Sequence, residues 1–183
     1  MSIEPPNPIL HLSNHVVRPY YPGDVEAIAK EANNPQIARW LRNQFPQPYT
    51  REAAKTWIAI TTAASPTLDF AICRREDNVA IGAIGLNTKG DVYYRTMEIG
   101  YWVGQDHWGK GIATEALSAV TAWAFEHFGH VVRLEAEVYE GNEPSQRVLL
   151  KAGYELEGRR RKAAEKNGVL LDLLLFCTLR GKP

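Results

Sequence analysis

Cysteine, net charge and long apolar runs are all scarce in this chain, and each scarcity excludes a class of protein. Cys73 and Cys177 are the only cysteines. Two thiols are too few for a disulfide framework or a zinc site, so we expect both to be buried and unreactive. The 21 basic residues balance the 21 acidic ones, so no overall charge attracts nucleic acid. No apolar run approaches the roughly 20 residues that a membrane-spanning helix needs.

The start of the chain also lacks an export pattern. Residues 1–14 mix polar residues with prolines and lack a basic stretch followed by an apolar one, which is the pattern of a secretory signal. We therefore expect a cytoplasmic protein with no membrane partner and a flexible or extended segment over residues 1–12. With 183 residues, 45% of them hydrophobic, the chain can bury one full core. Because no linker or repeat divides it, we expect a single domain over residues 1–183.

The apolar periods predict an α/β fold. Two runs, Ala80–Leu86 and Leu170–Phe176, are apolar on both faces, which is typical of central strands. Asp172 interrupts the second run, either as a hydrogen-bonded or site-facing acid or as a residue at a sheet edge. The expected strands cover 16–18, 68–74, 79–86, 92–103, 132–139, 154–159 and 170–179, and the expected helices cover 24–33, 35–42 and 51–63, with one after Gly111 and one around Pro144.

Two glycines one residue apart, Gly109 and Gly111, separate a strand-like segment from a helical period that begins at Ile112. A helix start offers unpaired N–H groups and partial positive charge, and glycine lets a phosphate approach the backbone. A tight turn without a ligand is the alternative. A P-loop needs Ser or Thr after its lysine, but Lys110 is followed by Gly111, so that pattern is excluded. The Rossmann pattern is excluded because Thr114 stands in the place of its third glycine.

A second motif follows the next predicted strand. It runs from Asn142 through Pro144 and Ser145 to Gly153 and Tyr154, and it predicts a capped helix with a glycine stop. Together with the segment His107–Ala116, this motif resembles the Gcn5-related N-acetyltransferase (GNAT) superfamily. Within the superfamily, the sequence of that segment looks like the RimJ/RimL branch. The resemblance covers nearly the whole chain. One departure is Asp106, which stands where the superfamily's phosphate loop usually has Gln or Arg, so backbone donors must dominate there.

The resemblance implies a single GNAT-type α/β domain with a mixed, largely antiparallel sheet, flanking helices and a splayed strand pair at the acetyl-CoA site. It implies acetyl-CoA as cosubstrate, no metal, and an N-acetyltransferase acting in a ternary complex on a protein N-terminal amine or a small-molecule amine. An inactive acyl-CoA-binding sensor or interaction module is the alternative function, and the chain is expected to be a monomer or homodimer. The implied cofactor contacts are Ile99, Gly100, Tyr101, Trp102, Val103, Trp108, Gly109, Lys110, Gly111, Ile112, Ala113, Thr114, Asn142, Ser145, Arg147 and Lys151.

The resemblance also suggests catalytic roles. Glu98 is the candidate base for the amine proton, against the alternative of a salt-bridged strand residue. Ser145 and Tyr139 compete as the acid that protonates the leaving sulfur, although a serine in a first helical turn commonly bonds the backbone. The primary role expected for Asn142 is to cap the helix that follows it. Either one of Arg147 and Lys151 reaches a CoA phosphate, or both are solvated.

The acceptor side is marked by three aromatic residues. By family analogy Trp40, Phe45 and Tyr49, with Glu98, line the mouth of the cleft, and a place in the core is their alternative. The basic run Arg159–Lys162 is expected at a hairpin completed by residues 166–168. It is either a solvated turn or an attractor for an acidic acceptor or CoA.

Overall fold

The computed structural model describes residues 4–181 and contains one eight-stranded sheet. The strands are β1 Leu10–His11, β2 His15–Pro19, β3 Asp69–Arg74, β4 Ala80–Thr88, β5 Thr96–Val103, β6 Arg133–Tyr139, β7 Glu155–Lys166 and β8 Val169–Leu179. The helices are α1 Val25–Ala32, α2 Pro35–Ala38, α3 Arg51–Ala63, α4 Ile112–His127 and α5 Glu143–Lys151. Within the described residues, no helix is long and apolar enough to cross a membrane.

The strand order is β1-β2-β3-β4-β5-β6-β8-β7. The pairs β1–β2, β2–β3, β3–β4, β6–β8 and β7–β8 are antiparallel, and β5–β6 is parallel. The sheet is therefore mixed and largely antiparallel, which confirms the expected fold class. Of the segment 1–12, residues 1–3 lie outside the described residues, and Leu10–His11 pair with β2.

Two expected elements are wrong in their extent. The helix expected over 35–42 ends at Ala38, because the following N–H groups of Trp40 and Leu41 bond three residues back and tighten the chain into turns. The strand expected from residue 92 begins at Thr96. Asp91 has a φ of 55° and starts a 3-10 turn, so the apolar letters after it belong to an exposed loop.

The closing hairpin also differs from expectation. The basic run Arg159–Lys162 lies inside β7, which extends to Lys166. The turn is Asn167–Gly168, with φ values of 52° and 77°, as a two-residue hairpin turn requires. The first residues of β8, Val169 and Leu170, are exposed rather than buried on both faces, because the pairing of β6 with β8 reaches no further than Leu173.

The chain forms two compact units. One extends to Gly85 and includes the segment from Tyr101 to Ala116; the other contains the segments 86–100 and from Leu117 onward. In the first unit, α1 and α3 cover one face of β2 and β3 around a buried cluster that includes Tyr20, Ile28 and Ile58. This unit also buries Cys73, and the other buries Cys177, as expected for structural thiols.

A buried ion pair in the first unit joins β2 to the turn that precedes α1. The Arg18 side chain is 0% exposed, and its two terminal nitrogens donate to the Asp24 carboxylate at 2.8 and 2.7 Å. The Arg18 Nε also donates to the Asn78 side-chain oxygen at 2.8 Å. A buried charge needs such partners to offset its lost hydration. Arg18 and Asp24 therefore have a structural role.

Candidate functional site

The glycine loop of the first unit is open and precedes a long helix. Gly109 and Gly111 have φ values of 74° and 78°, and no atom lies within 4 Å of the position that a Cβ would take at either residue. This left-handed conformation favours glycine. Helix α4 begins directly afterwards at Ile112, and its first N–H groups have no partner within the helix. The loop can therefore bring backbone donors to an anion.

Side chains on both sides hold this loop. The Trp108 Nε1 donates to the Val103 carbonyl at 2.7 Å, and the Lys110 ammonium donates to the Asp106 carbonyl at 2.9 Å. In the first turn of α4, the Glu115 carboxylate accepts from both the N–H and the hydroxyl of Ser13 at 2.6 Å. Sequence reasoning did not identify Ser13 or Glu115, since 102 residues separate them.

Strand β5 alternates in burial as a half-covered strand should. Met97, Ile99 and Val103 are buried, whereas Glu98 is half-buried and Gly100 exposed. Among the described residues, the parallel ladder to β6 joins only residues 96–98 to residues 133–135, although both strands continue. The β5 backbone beyond the ladder is the segment that the resemblance assigns to pantetheine.

The partner of Glu98 across this ladder is Glu135. The Glu135 carboxylate is bound by Lys89 and by the Arg133 Nε at 2.9 Å. Burial opposes ionisation, yet these two hydrogen bonds keep the pKa of Glu135 below its ordinary value. Glu135 is therefore held as a structural anion.

Helix α5 begins with the predicted cap. The Asn142 side-chain oxygen accepts from the Ser145 N–H at 3.4 Å, and Pro144 occupies the first turn. The Arg147 guanidinium lies 3.5 Å from the Glu143 carboxylate on the exposed face of the helix, and Lys151 is exposed one turn later. Asn142 thus caps the helix, and Arg147 has an intrahelical partner.

Replacing Asn142 tests this capping role. Asn142→Ala should lower the free energy of unfolding by about 1 kcal/mol, because the first turn of α5 loses its side-chain acceptor. Asn142→Ser is the matched control, since serine is also a good cap and should keep most of the stability. Urea unfolding of the three proteins measures both effects. Equal stability of the alanine variant and the wild type would contradict the capping role.

The predicted acceptor-side aromatics occupy two environments. Tyr49 is 5% exposed and belongs to the hydrophobic cluster of the first unit. Its ring lies 4.7 Å from that of Phe45, whose ring lies 5.8 Å from that of Trp102. Among the described residues, Trp40 makes no ring contact with this stack, and the Arg39 guanidinium carbon lies 4.5 Å from the centre of the Trp40 ring. Phe45, Tyr49 and Trp102 therefore come together, and Trp40 does not join them.

Acidic partners neutralise half of the basic run in β7. The Arg159 guanidinium donates to Asp172 at 2.7 Å and to Glu140 at 2.9 Å, and Arg160 pairs with Glu137. The Lys162 N–H also donates to Asp172 at 2.8 Å. These bonds lower the pKa of Asp172. The sequence left open whether Asp172 is a hydrogen-bonded acid or a residue at a sheet edge, and the structure shows the hydrogen-bonded acid.

The chain is similar to known acetyltransferases in sequence and in structure. The family model described as "Acetyltransferase (GNAT) domain" matches residues 15–155. The chain is 30% identical over 175 residues to the uncharacterized N-acetyltransferase YoaA of Bacillus subtilis, covering 94% of this chain and 97% of that protein. It is 31% identical over 105 residues to the ribosomal-protein-serine acetyltransferase of Escherichia coli, covering 57% of each. The structure of Mycobacterium smegmatis RimJ with a CoA disulfide superposes with a TM-score of 0.79, 26% identity, and coverage of 91% and 82% of the two chains.

Proposed function

Because this chain belongs to the GNAT family of acetyl-CoA-dependent N-acetyltransferases, we propose that it acetylates a primary amine by direct attack in a ternary complex. The acceptor is a protein N-terminal amine or a small-molecule amine. Relatives named for ribosomal-protein acetylation support the former. The observation that carries the proposal is the pair of left-handed glycines before α4, which suits the pyrophosphate of acetyl-CoA.

The proposed cofactor contacts follow from the local structure of each segment. The backbone of residues 108–114 binds the pyrophosphate. The β5 backbone from Ile99 to Val103 pairs with the pantetheine arm, and one of its N–H groups polarises the thioester carbonyl. Gly100 leaves room for this approach, since nothing lies within 4 Å of the position of a Cβ there.

In the proposed reaction, the amine nitrogen attacks the thioester carbon. A C–N bond forms and the C–S bond breaks, so CoA leaves as a thiolate. The Glu98 carboxylate accepts the amine proton, directly or through water, and Ser145 or Tyr139 supplies a proton to the sulfur. Positioning of the reactants accounts for about 7 to 11 kcal/mol of the barrier, against roughly 2.7 to 5.5 kcal/mol for a general base. Backbone placement should therefore contribute more than any single side chain.

Release of free thiol from acetyl-CoA, measured with a panel of peptides and small amines, tests turnover. Acceptor-dependent thiol release is expected. Binding of acetyl-CoA without thiol release from any acceptor would favour an inactive binding module instead.

Cofactor binding should also stabilise the fold, since only the folded chain forms the site. At about 100 times its dissociation constant, acetyl-CoA should add about 2.7 kcal/mol, which raises the melting temperature by roughly 5 to 10 °C for a domain of this size. Free CoA should give most of this shift and acetate none. Thermal unfolding with each additive measures it, and no shift with millimolar acetyl-CoA would contradict the proposal.

A further inference from the structure

A row of three residues crosses the sheet of the first unit on the face that α1 and α3 cover. Asp69 pairs with Gly85 in the β3–β4 ladder. The β2–β3 ladder ends at the pair of Pro19 with Phe70, so Tyr20, the first residue after β2, is in register with Asp69 only by extension of that ladder. Directly opposed side chains in antiparallel strands lie on one face about 5 Å apart at Cβ.

The Asp69 carboxylate lies beside Gly85, which has no side chain. A Cβ at Gly85 would overlap the Asp69 Oδ1, so glycine is what makes room for the carboxylate there. Gly85 and Ala83 are half-buried, although β4 lies inside the sheet with a neighbour on each side. Ile84 and Leu86, on the opposite face, are each 1% exposed. Beside Asp69, solvent therefore reaches this face of the sheet, although α1 and α3 cover the face over β2 and β3.

The half-buried Asp69 differs from Asp24, the buried carboxylate of the same unit. Asp24 is bound by both terminal nitrogens of Arg18, whereas the Asp69 carboxylate has no hydrogen bond or ion pair within residues 4–181. Burial raises the pKa of Asp69 to about 6. A half-buried carboxylate without a partner is costly to keep, and a positively charged ligand group would offset that cost.

The phenol of Tyr20 gives a second, independent indication of a ligand. Tyr20 is 3% exposed, and its hydroxyl lies near the Trp57 indole but makes no hydrogen bond of good geometry in the described part of the chain. Buried polar atoms in folded proteins nearly always have partners. Tyr20 belongs to the cluster against which Trp102 and Phe45 pack, and Trp102 lies in the strand segment proposed for pantetheine.

We propose that Asp69 and the Tyr20 hydroxyl bind a positively charged group of the acetyl acceptor, other than the amine that is acetylated. This inference rests on the proposed N-acetyltransferase function. The acceptor class is therefore a cationic molecule with a second amine, either a small diamine or a peptide with a basic side chain near its free N terminus. Asp69 is a specificity residue in this proposal, and the Tyr20 hydroxyl accepts a hydrogen bond from the same cation.

The test compares matched acceptors by calorimetry on protein saturated with free CoA, which does not require turnover. One arm uses 1,4-diaminobutane against butylamine, and the other a serine-led peptide with lysine at its second position against the same peptide with norleucine. In at least one arm, wild type should bind the more cationic member about 10- to 100-fold more tightly, as a charged hydrogen bond implies. The arm that shows the preference identifies the source of the cation.

Asp69→Asn keeps the size of the side chain and removes its charge, so it should fold and reduce the preference to less than about threefold. Tyr20→Phe should weaken the preference with little loss of stability, because the hydroxyl makes no well-formed hydrogen bond in the described fold. Asp77→Asn is the matched control, since Asp77 is exposed and pairs with Arg74, and it should keep the full preference. In steady-state kinetics, Asp69→Asn should raise KM for the cationic acceptor with little change in kcat.

Several outcomes would overturn the proposal. These are a wild type with no preference in either arm, a preference that survives in Asp69→Asn, or an equal loss for butylamine, which would place the reacting amine itself on Asp69. The proposed function fails separately, through the absence of a melting shift with acetyl-CoA or of thiol release with every acceptor. If CoA does not bind, the same calorimetric comparison on the free protein tests the Asp69 site.

Discussion

Replacing Gly111 by valine is expected to abolish acetyl-CoA binding while leaving a folded chain. Gly111 has a φ of 78°, a conformation in which a β-branched residue is a strong outlier. The valine side chain would also fill the open space above the loop, where the pyrophosphate is proposed to lie. Calorimetric titration with acetyl-CoA measures the affinity, and far-ultraviolet circular dichroism confirms the fold.

Gly168→Val is the matched control for this experiment. Gly168 has nearly the same φ, 77°, and likewise has no atom within 4 Å of a Cβ position, but it lies in the turn between β7 and β8. Both substitutions impose similar backbone strain, so a general loss of stability would appear in both. Only the Gly111 variant should lose the cofactor. Unchanged affinity in a folded Gly111 variant would place the phosphate site elsewhere in the chain.

Local signals in the sequence were sufficient where one segment determines its own structure. Helix α3 has the predicted bounds, because the Thr50 hydroxyl accepts from the Ala53 N–H at 3.1 Å and caps it. The glycine pair before Ile112 and the Asn142 cap also act within a few residues of the chain. The corresponding part of the candidate site was therefore visible before the structure.

Features that depend on strand register could not be read in this way. Leu170 has the letters of a central strand, but it is exposed because β6 pairs with β8 only from Leu173 onward. The unpaired state of Asp69 depends on its alignment with Gly85, 16 residues away. Aligning these residues requires the pairing of whole strands, which periodicity alone does not specify.

If Glu98 accepts the amine proton, Glu98→Gln should lower kcat by about 10² to 10⁴ and leave acetyl-CoA affinity nearly unchanged, since only the transition state loses an interaction. The wild-type rate should rise with pH as the amine loses its proton, which for an α-amino group occurs at about pH 7.7 to 8.0. Steady-state thiol release at saturating acceptor measures kcat, and calorimetry measures the affinity.

Glu165→Gln is the matched control, because Glu165 is an exposed strand carboxylate on β7 with no role in the proposed site. It should keep full kcat. If the Glu98 carboxylate only packs or forms an ion pair, Glu98→Gln should lower kcat by less than about tenfold, below the range expected for a general base. Any loss of activity should then parallel a loss of stability. That result, with the fold confirmed, would remove Glu98 from the mechanism. The amine would then attack in its already neutral form, and the β5 backbone from Ile99 to Val103 would supply most of the catalysis.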